Sequence, residues 1–193
     1  MGGERVTDAE VLKVFRDTGA LLDGHFVLRS GLHSGQYFQC ALVLQYPRIA
    51  ERLCVALAAK LNGAGARTVI SPALGGLFVG HEVARALDVR HIFAEKNAAG
   101  RLELRRGFQI APREKVLVVE DVVTKGGRVQ ETIDIVRGLG GEVVGVGTLV
   151  DRSDGKVDFG VRLESLLRLQ VETFDPTVCP LCKMGQPVVK PGS

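Results

Sequence analysis

Val116-Leu117-Val118-Val119-Glu120-Asp121-Val122-Val123-Thr124-Lys125-Gly126-Gly127-Arg128 sets an apolar run against two adjacent carboxylates and then a glycine-containing turn. Residues 115–119 (KVLVV) read as a buried strand, and the spacing of Val129, Ile133 and Val136 predicts a helix that ends at Gly138. Strand, acidic pair, glycine turn and helix in that order point to an open α/β sheet, in which ligands bind beyond the carboxyl ends of the strands. Successive backbone N–H groups in such a turn make a concave anion nest, and the helix N-terminus adds partial positive charge. Thr124, Lys125 and Arg128 supply further donors suited to a phosphate. Both GxxxxGK[ST] and GxGxxG are absent from the stretch, so it is neither a Walker loop nor a dinucleotide fingerprint.

The pattern repeats on either side. Residues 68–71 (TVIS) read as a short buried strand, followed by the turn Pro72-Ala73-Leu74-Gly75-Gly76 and an apolar-faced helix through Val83 to Leu87. Residues 91–94 (HIFA) and 143–150 (VVGVGTLV) are further strands, the second delivering Asp151 and Arg152 at its end. Upstream, Thr7 and Glu10 form a capping box for a first helix running to near Gly19. A second helix starts at Pro47, shows Ile49, Leu53 and Leu57 on one face, and stops at Gly63. This alternation predicts a single α/β domain over 1–193, with a mostly parallel central sheet flanked by helices and a core at about 47–156. Residues 20–45 and the polar, proline-containing 157–193 break the pattern, and they are expected to form a small hood over the sheet.

Composition narrows the class. With 46% hydrophobic and 24% charged residues the chain has too much apolar content for disorder. Its 24 glycines in 193 residues exceed the usual share of about 7%, yet they keep no three-residue period, so they call for local explanations. The formal charge of +3 is too small to imply nucleic-acid binding. No apolar run approaches the roughly 18 residues of a membrane span, and the N-terminus has no basic segment leading into an apolar signal core. The reading is of a cytoplasmic protein with neither a nucleic-acid nor a membrane partner.

Glu120 and Asp121 cannot serve a phosphate, so they are expected to face hydroxyls or a hydrated cation; a ribose 5′-phosphate with Mg2+ nearby satisfies both halves of the motif. At this point the sequence resembles the type I phosphoribosyltransferases, whose signature is an apolar strand, two acidic residues, two apolar residues, then Thr and a glycine-containing phosphate loop. Leu28-Arg29-Ser30-Gly31, His33-Ser34 and Tyr37-Phe38 are similar to the N-terminal motif of the orotate branch, and Asp151-Arg152-Ser153 to its Asp-Arg pair. The closing CPLCKMGQPVVKPGS is similar to the tail of one bacterial group of that branch.

The resemblance implies the type I phosphoribosyltransferase fold, transfer from phosphoribosyl pyrophosphate (PRPP) to orotate, a Mg2+ cofactor held by PRPP and waters near Glu120 and Asp121, and a homodimer with shared active sites. It implies PRPP binding by Glu120, Asp121, Val122, Val123, Thr124, Lys125, Gly126, Gly127 and Arg128, with Gly75 and Gly76 approaching the pyrophosphate. Lys96 and Asp121 would be catalytic, and Thr124, Arg152 and Arg29 would contact orotate. A guanidinium fork suits a planar carboxylated pyrimidine better than a lysine does. Residues 97–106 would form a lid, with Arg101, Arg105 and Arg106 as candidate pyrophosphate ligands. The chain departs from the family pattern in carrying Lys125 and Arg128 in the phosphate loop, and glycine at 75 where other branches place lysine. A purine acceptor, or a non-catalytic PRPP-sensing regulator on the same fold, are the alternatives.

Cys179-Pro-Leu-Cys182 has metal-ligand spacing, but a zinc site needs four ligands and no second CxxC or HxxxH follows. Zinc with ligands shared across a dimer, a disulfide, and free thiols all remain open. His25, His33, His81 and His91 show no ligand spacing and are expected in packing or surface roles.

Overall fold

A computed structural model describes residues 6–28 and 30–191. Its elements in chain order are α1 (Asp8–Asp17), β1 (Leu21–Val27), β2 (His33–Phe38), α2 (Ala41–Leu44), α3 (Pro47–Leu61), β3 (Thr68–Pro72), α4 (Gly76–Leu87) and β4 (Arg90–Lys96). There follow β5 (Leu102–Leu104), β6 (Lys115–Val123), α5 (Gly127–Gly138), β7 (Glu142–Asp151), β8 (Leu163–Arg168), β9 (Thr173–Phe174) and α6 (Pro180–Lys183).

Six strands form the main sheet in the order β5-β4-β3-β6-β7-β8. All neighbours are parallel except the edge pair β4 and β5. The central strands are apolar on both faces because helices cover both. Leu117 and Val119 of β6 pack with α1, α3 and α4 residues such as Phe15, Leu57 and Val83. Val116 and Val118, pointing the other way, pack against Val129, Ile133 and Val136 of α5. Period-2 alternation in a strand buried on both sides therefore divides one apolar run between two cores.

The Thr7 and Glu10 capping box forms as expected, with Thr7 N–H donating to Glu10 Oε2 at 2.8 Å. Two expectations on boundaries change. Strand β8 lies in the main sheet beside β7, so the core extends to residue 168 rather than ending near 156. Strand β6 runs on to Val123, because the segment 120–123 keeps pairing with β7 through Glu120 to Thr148 and Val122 to Val150. The hood is a smaller three-stranded sheet, β1-β2-β9, and it does combine the N-terminal hairpin with part of the tail.

Chain order places the next strand after β3 on one side of it and β6 on the other, so a crevice opens between the carboxyl ends of β3 and β6. Ligands of open α/β sheets sit at such a switch point. No helix among the described residues is long and apolar enough to cross a membrane.

Candidate active site

At the carboxyl end of β6 lies a pocket of about 560 Å3 whose lining includes Glu120, Asp121, Thr124, Gly126, Arg128 and, from the 97–101 turn, Arg101. Strand β6 carries the two carboxylates to the sheet edge, where each is fixed by backbone: Asp121 N–H donates to Glu120 Oε1 at 3.0 Å, and Val122 N–H to Asp121 Oδ1 at 2.8 Å. The Asp121 carbonyl accepts from Thr148 Oγ at 3.0 Å, which ties the acidic pair to β7. Burial, and then the Asp121 charge, pushes the Glu120 carboxyl up to about 9. Burial also raises Asp121. Among the described residues neither has a salt-bridge partner, since the nearby Arg128 is paired with Glu131 at 2.8 Å. Two adjacent carboxylates without a salt-bridge partner in a pocket are a costly arrangement, the kind that marks a functional site.

Glycines build the walls. Gly126 takes the left-handed conformation at φ 75°, which re-aims the chain into α5, and a Cβ there would meet the Phe159 ring at 3.0 Å. At Gly75 a Cβ would lie 2.8 Å from Asp121 Oδ2, and at Gly76 3.0 Å from Glu120 Oε1. The 72–76 turn thus fits against the acidic pair because it has no side chains there.

Arg152 follows β7, its N–H donating to Val123 O at 2.8 Å. Burial lowers its guanidinium below the usual range, and both its Nε and the neighbouring Ser153 Oγ are buried without a hydrogen-bond partner. Buried donors left unpaired call for a ligand. Cys40, at the foot of α2, lies behind the acidic pair, its thiol 3.9 Å from Asp121 O. Nothing in its local sequence indicates that position.

The structure divides the lid candidates. Residues 97–106 form a hairpin with β4, pairing Lys96 with Leu102 and Ala94 with Leu104. Arg101 lines the pocket, whereas Arg105 and Arg106 turn to Glu95, at 3.7 and 2.6 Å, so both are engaged in ion pairs away from it. Glu131 of α5 joins the hairpin to the first turn of α5, accepting from Leu102 N–H at 2.6 Å and from Arg128 Nη1 at 2.8 Å. Lys96 is exposed at the end of β4, and Lys125 is exposed on the loop; neither lines the pocket. Arg29 lies outside the described residues. His25 and His33, expected in packing or surface roles, instead come together with Cys179 and Cys182 on the hood.

Comparison with known proteins accounts for this geometry. A family model described as phosphoribosyl transferase domain matches residues 44–159, which include the 72–76 turn, the acidic pair and the glycine turn before α5. The chain is 57% identical to the orotate phosphoribosyltransferase of Desulforamulus reducens over 95% of its length and 96% of that protein's. It is 56% identical to the orotate phosphoribosyltransferase of Pelotomaculum thermopropionicum, covering 97% of this chain and 98% of that one. The crystal structure of orotate phosphoribosyltransferase from Aeropyrum pernix superposes with a TM-score of 0.70 at 29% identity, over 91% of this chain and 98% of that one. The chain belongs to the orotate phosphoribosyltransferase family.

Proposed function

We propose that this protein transfers the 5-phosphoribosyl group from PRPP to N1 of orotate, releasing pyrophosphate and forming orotidine 5′-monophosphate in pyrimidine synthesis. The observation that carries the reading is the buried Glu120 and half-buried Asp121 beside the Gly126 turn, with the unpaired Arg152 donor on the adjoining strand end. The nest and the α5 N-terminus take the 5′-phosphate, with Thr124 and Lys125 as further donors. Glu120 and Asp121 take the ribose hydroxyls and favour the positive charge that develops on the sugar as the glycosidic bond breaks. Arg152, with Thr124 and Arg29, holds orotate, whose ring nitrogen is acidic enough to attack without a strong base.

The carboxylates of Glu120 and Asp121, engaged in no salt bridge among the described residues, suit Mg2+ held through PRPP and waters, where it would neutralise pyrophosphate charge. Lys96 and Arg101 stand at the two ends of the short turn that faces the leaving group, and lid movement would bring them onto it and exclude water. Lys96→Ala is expected to slow turnover more than about tenfold, because a positioned charge is lost from the transition state. Steady-state assays with saturating PRPP check it, and an unchanged kcat would remove Lys96 from the chemistry.

The enzyme is proposed to act as a cytoplasmic homodimer. Cys40 and Cys54 are buried free thiols, the form that a reducing cytoplasm maintains. Leu74, in the 72–76 turn, is 80% exposed, and Phe78, 65% exposed, lines a mostly apolar groove of about 740 Å3 with Leu77, Leu44, Pro47 and Phe93. Apolar side chains grouped this way favour a self-complementary interface, and they adjoin the turn that cups the acidic pair. Phe78→Asp is expected to halve the mass seen by sedimentation velocity and to reduce activity; a variant that stays dimeric would rule out this face.

Consumption of orotate, adenine and hypoxanthine, each with PRPP and Mg2+, tests the whole reading. PRPP-dependent loss of orotate alone is expected. Consumption of a purine instead would reassign the acceptor.

A further inference from the structure

The hood carries a group of side chains for which phosphoribosyl transfer has no use. Hairpin β1-β2 brings His25 and His33 side by side, and the tail brings Cys179 and Cys182 to them across more than a hundred residues of sequence. His25 Nε2 lies 2.9 Å from His33 Nδ1, 3.6 Å from Cys179 Sγ and 3.7 Å from Cys182 Sγ, and Cys182 Sγ lies 3.3 Å from His33 Nδ1. No two of the four donor atoms are more than 4.8 Å apart. A tetrahedral zinc site, with Zn–N near 2.0 Å and Zn–S near 2.3 Å, has edges of about 3.3 to 3.8 Å. The four separations above fall within about 0.5 Å of those edges.

The surroundings are built for the same end. His25 is 3% exposed, and its Nδ1 lies 2.9 Å from the Gln186 carbonyl, which can only accept. That bond fixes the proton on Nδ1 and leaves the Nε2 lone pair facing the cluster, the outer-shell support usual for a metal-bound imidazole. Cys179 is 1% exposed at the start of α6, and the CxxC spacing returns Cys182 to the same point one turn later. Backbone pairing holds the tail on both edges of the hairpin. Strand β9 lies on β2, with Ser34 Oγ donating to Glu172 O at 2.9 Å, and Val189 bridges β1, receiving Val27 N–H at 2.9 Å. The donor set contains two thiols, two imidazoles and no carboxylate, which selects a borderline-soft cation over magnesium or calcium.

We propose that His25, His33, Cys179 and Cys182 form a structural zinc site, closed within one chain, that pins the C-terminal tail to the hood. All four positions are filled by protein, so the ion is structural rather than catalytic. The second pair of ligands that CxxC requires comes from the hairpin of the same chain, without a partner subunit. Binding releases the thiol protons and leaves both sulfurs as thiolates, with no change of oxidation state.

Full-length protein without a histidine tag, purified under reducing conditions, is expected to contain one zinc per chain by elemental analysis. After removal of zinc by a chelator, titration with Co2+ alone is expected to give the intense visible bands of tetrahedral cobalt and a near-ultraviolet thiolate charge-transfer band, both unchanged by excess Mg2+. Reloading zinc is expected to raise the melting temperature of the same sample by about 5 °C or more. Cys182→Ser, at an exposed position, is expected to weaken cobalt binding more than tenfold and to lose part of the charge-transfer intensity. Reduced wild-type protein that binds no zinc and gives only a weak, octahedral cobalt spectrum would overturn the proposal. So would an intact mass two hydrogens lower, marking a Cys179 to Cys182 disulfide. Because the metal-loading readouts need neither PRPP nor orotate, their failure is distinguishable from failure of the catalytic reading.

Discussion

Asp121→Asn is expected to lower kcat by about 10²- to 10³-fold while the ligand-free protein melts at the same or a higher temperature, most visibly above pH 8. The two halves of this result share one cause. In the ligand-free protein Glu120 is buried and Asp121 half-buried, neither has a salt-bridge partner among the described residues, and desolvation raises both carboxyls, Glu120 to about 9. An unfolded chain releases the Glu120 proton near the ordinary value of about 4.5, whereas the folded one keeps it until about pH 9. The folded state therefore binds more protons than the unfolded state across that window, so stability from the pair falls as pH rises from about 4.5 towards 9.

Removing one charge removes part of that penalty, and with it the negative field that a cationic ribose needs. Calorimetric melting at pH 6 and pH 8.5, beside kcat under saturating substrates, checks both halves. Glu120→Gln should flatten the same pH dependence. A variant that loses melting temperature and activity together would mean that Asp121 is a structural residue. Trading stability for a destabilised active site in this way is common in enzymes.

Arg152→Lys is expected to raise KM for orotate about 10- to 100-fold and to leave KM for PRPP within about threefold, on the usual worth of a charged hydrogen bond. The substitution keeps the charge, so the loss would be one of shape. A guanidinium offers a planar fork, and its Nε is already buried without a partner. An ammonium at the same place can fill only one of those directions. Equal increases in both Michaelis constants would show instead that the 152 segment supports the whole pocket rather than one substrate.

The strand, acidic pair and glycine turn were legible because they are local: Val116 to Val119, Glu120, Asp121 and Gly126 are contiguous, and their spacing alone gives strand, turn and helix. Leu163–Arg168 was not legible as a core strand, because LESLLR shows no strict alternation and stands among polar residues. Only its pairing with β7, Val146 to Leu163 onward, makes it one. Arg105 and Arg106 looked available for pyrophosphate until hairpin pairing on β4 placed Glu95 beside them. The hood histidines were hidden for a similar reason. His25 and His33 are eight residues apart with no ligand motif, and it takes the antiparallel register of β1 and β2, plus a tail from the far end of the chain, to bring four donors together.

Positions 75 and 121 do not vary independently in this backbone. Since the volume that a Cβ at 75 would take is already filled by the Asp121 carboxylate, any larger residue there acts first as a displacement of Asp121. A lysine at 75 would not simply add a cation; it would require a different resting place for the aspartate. A double-mutant comparison of Gly75→Ala and Asp121→Asn is therefore expected to be non-additive, since each substitution changes the room left to the other side chain.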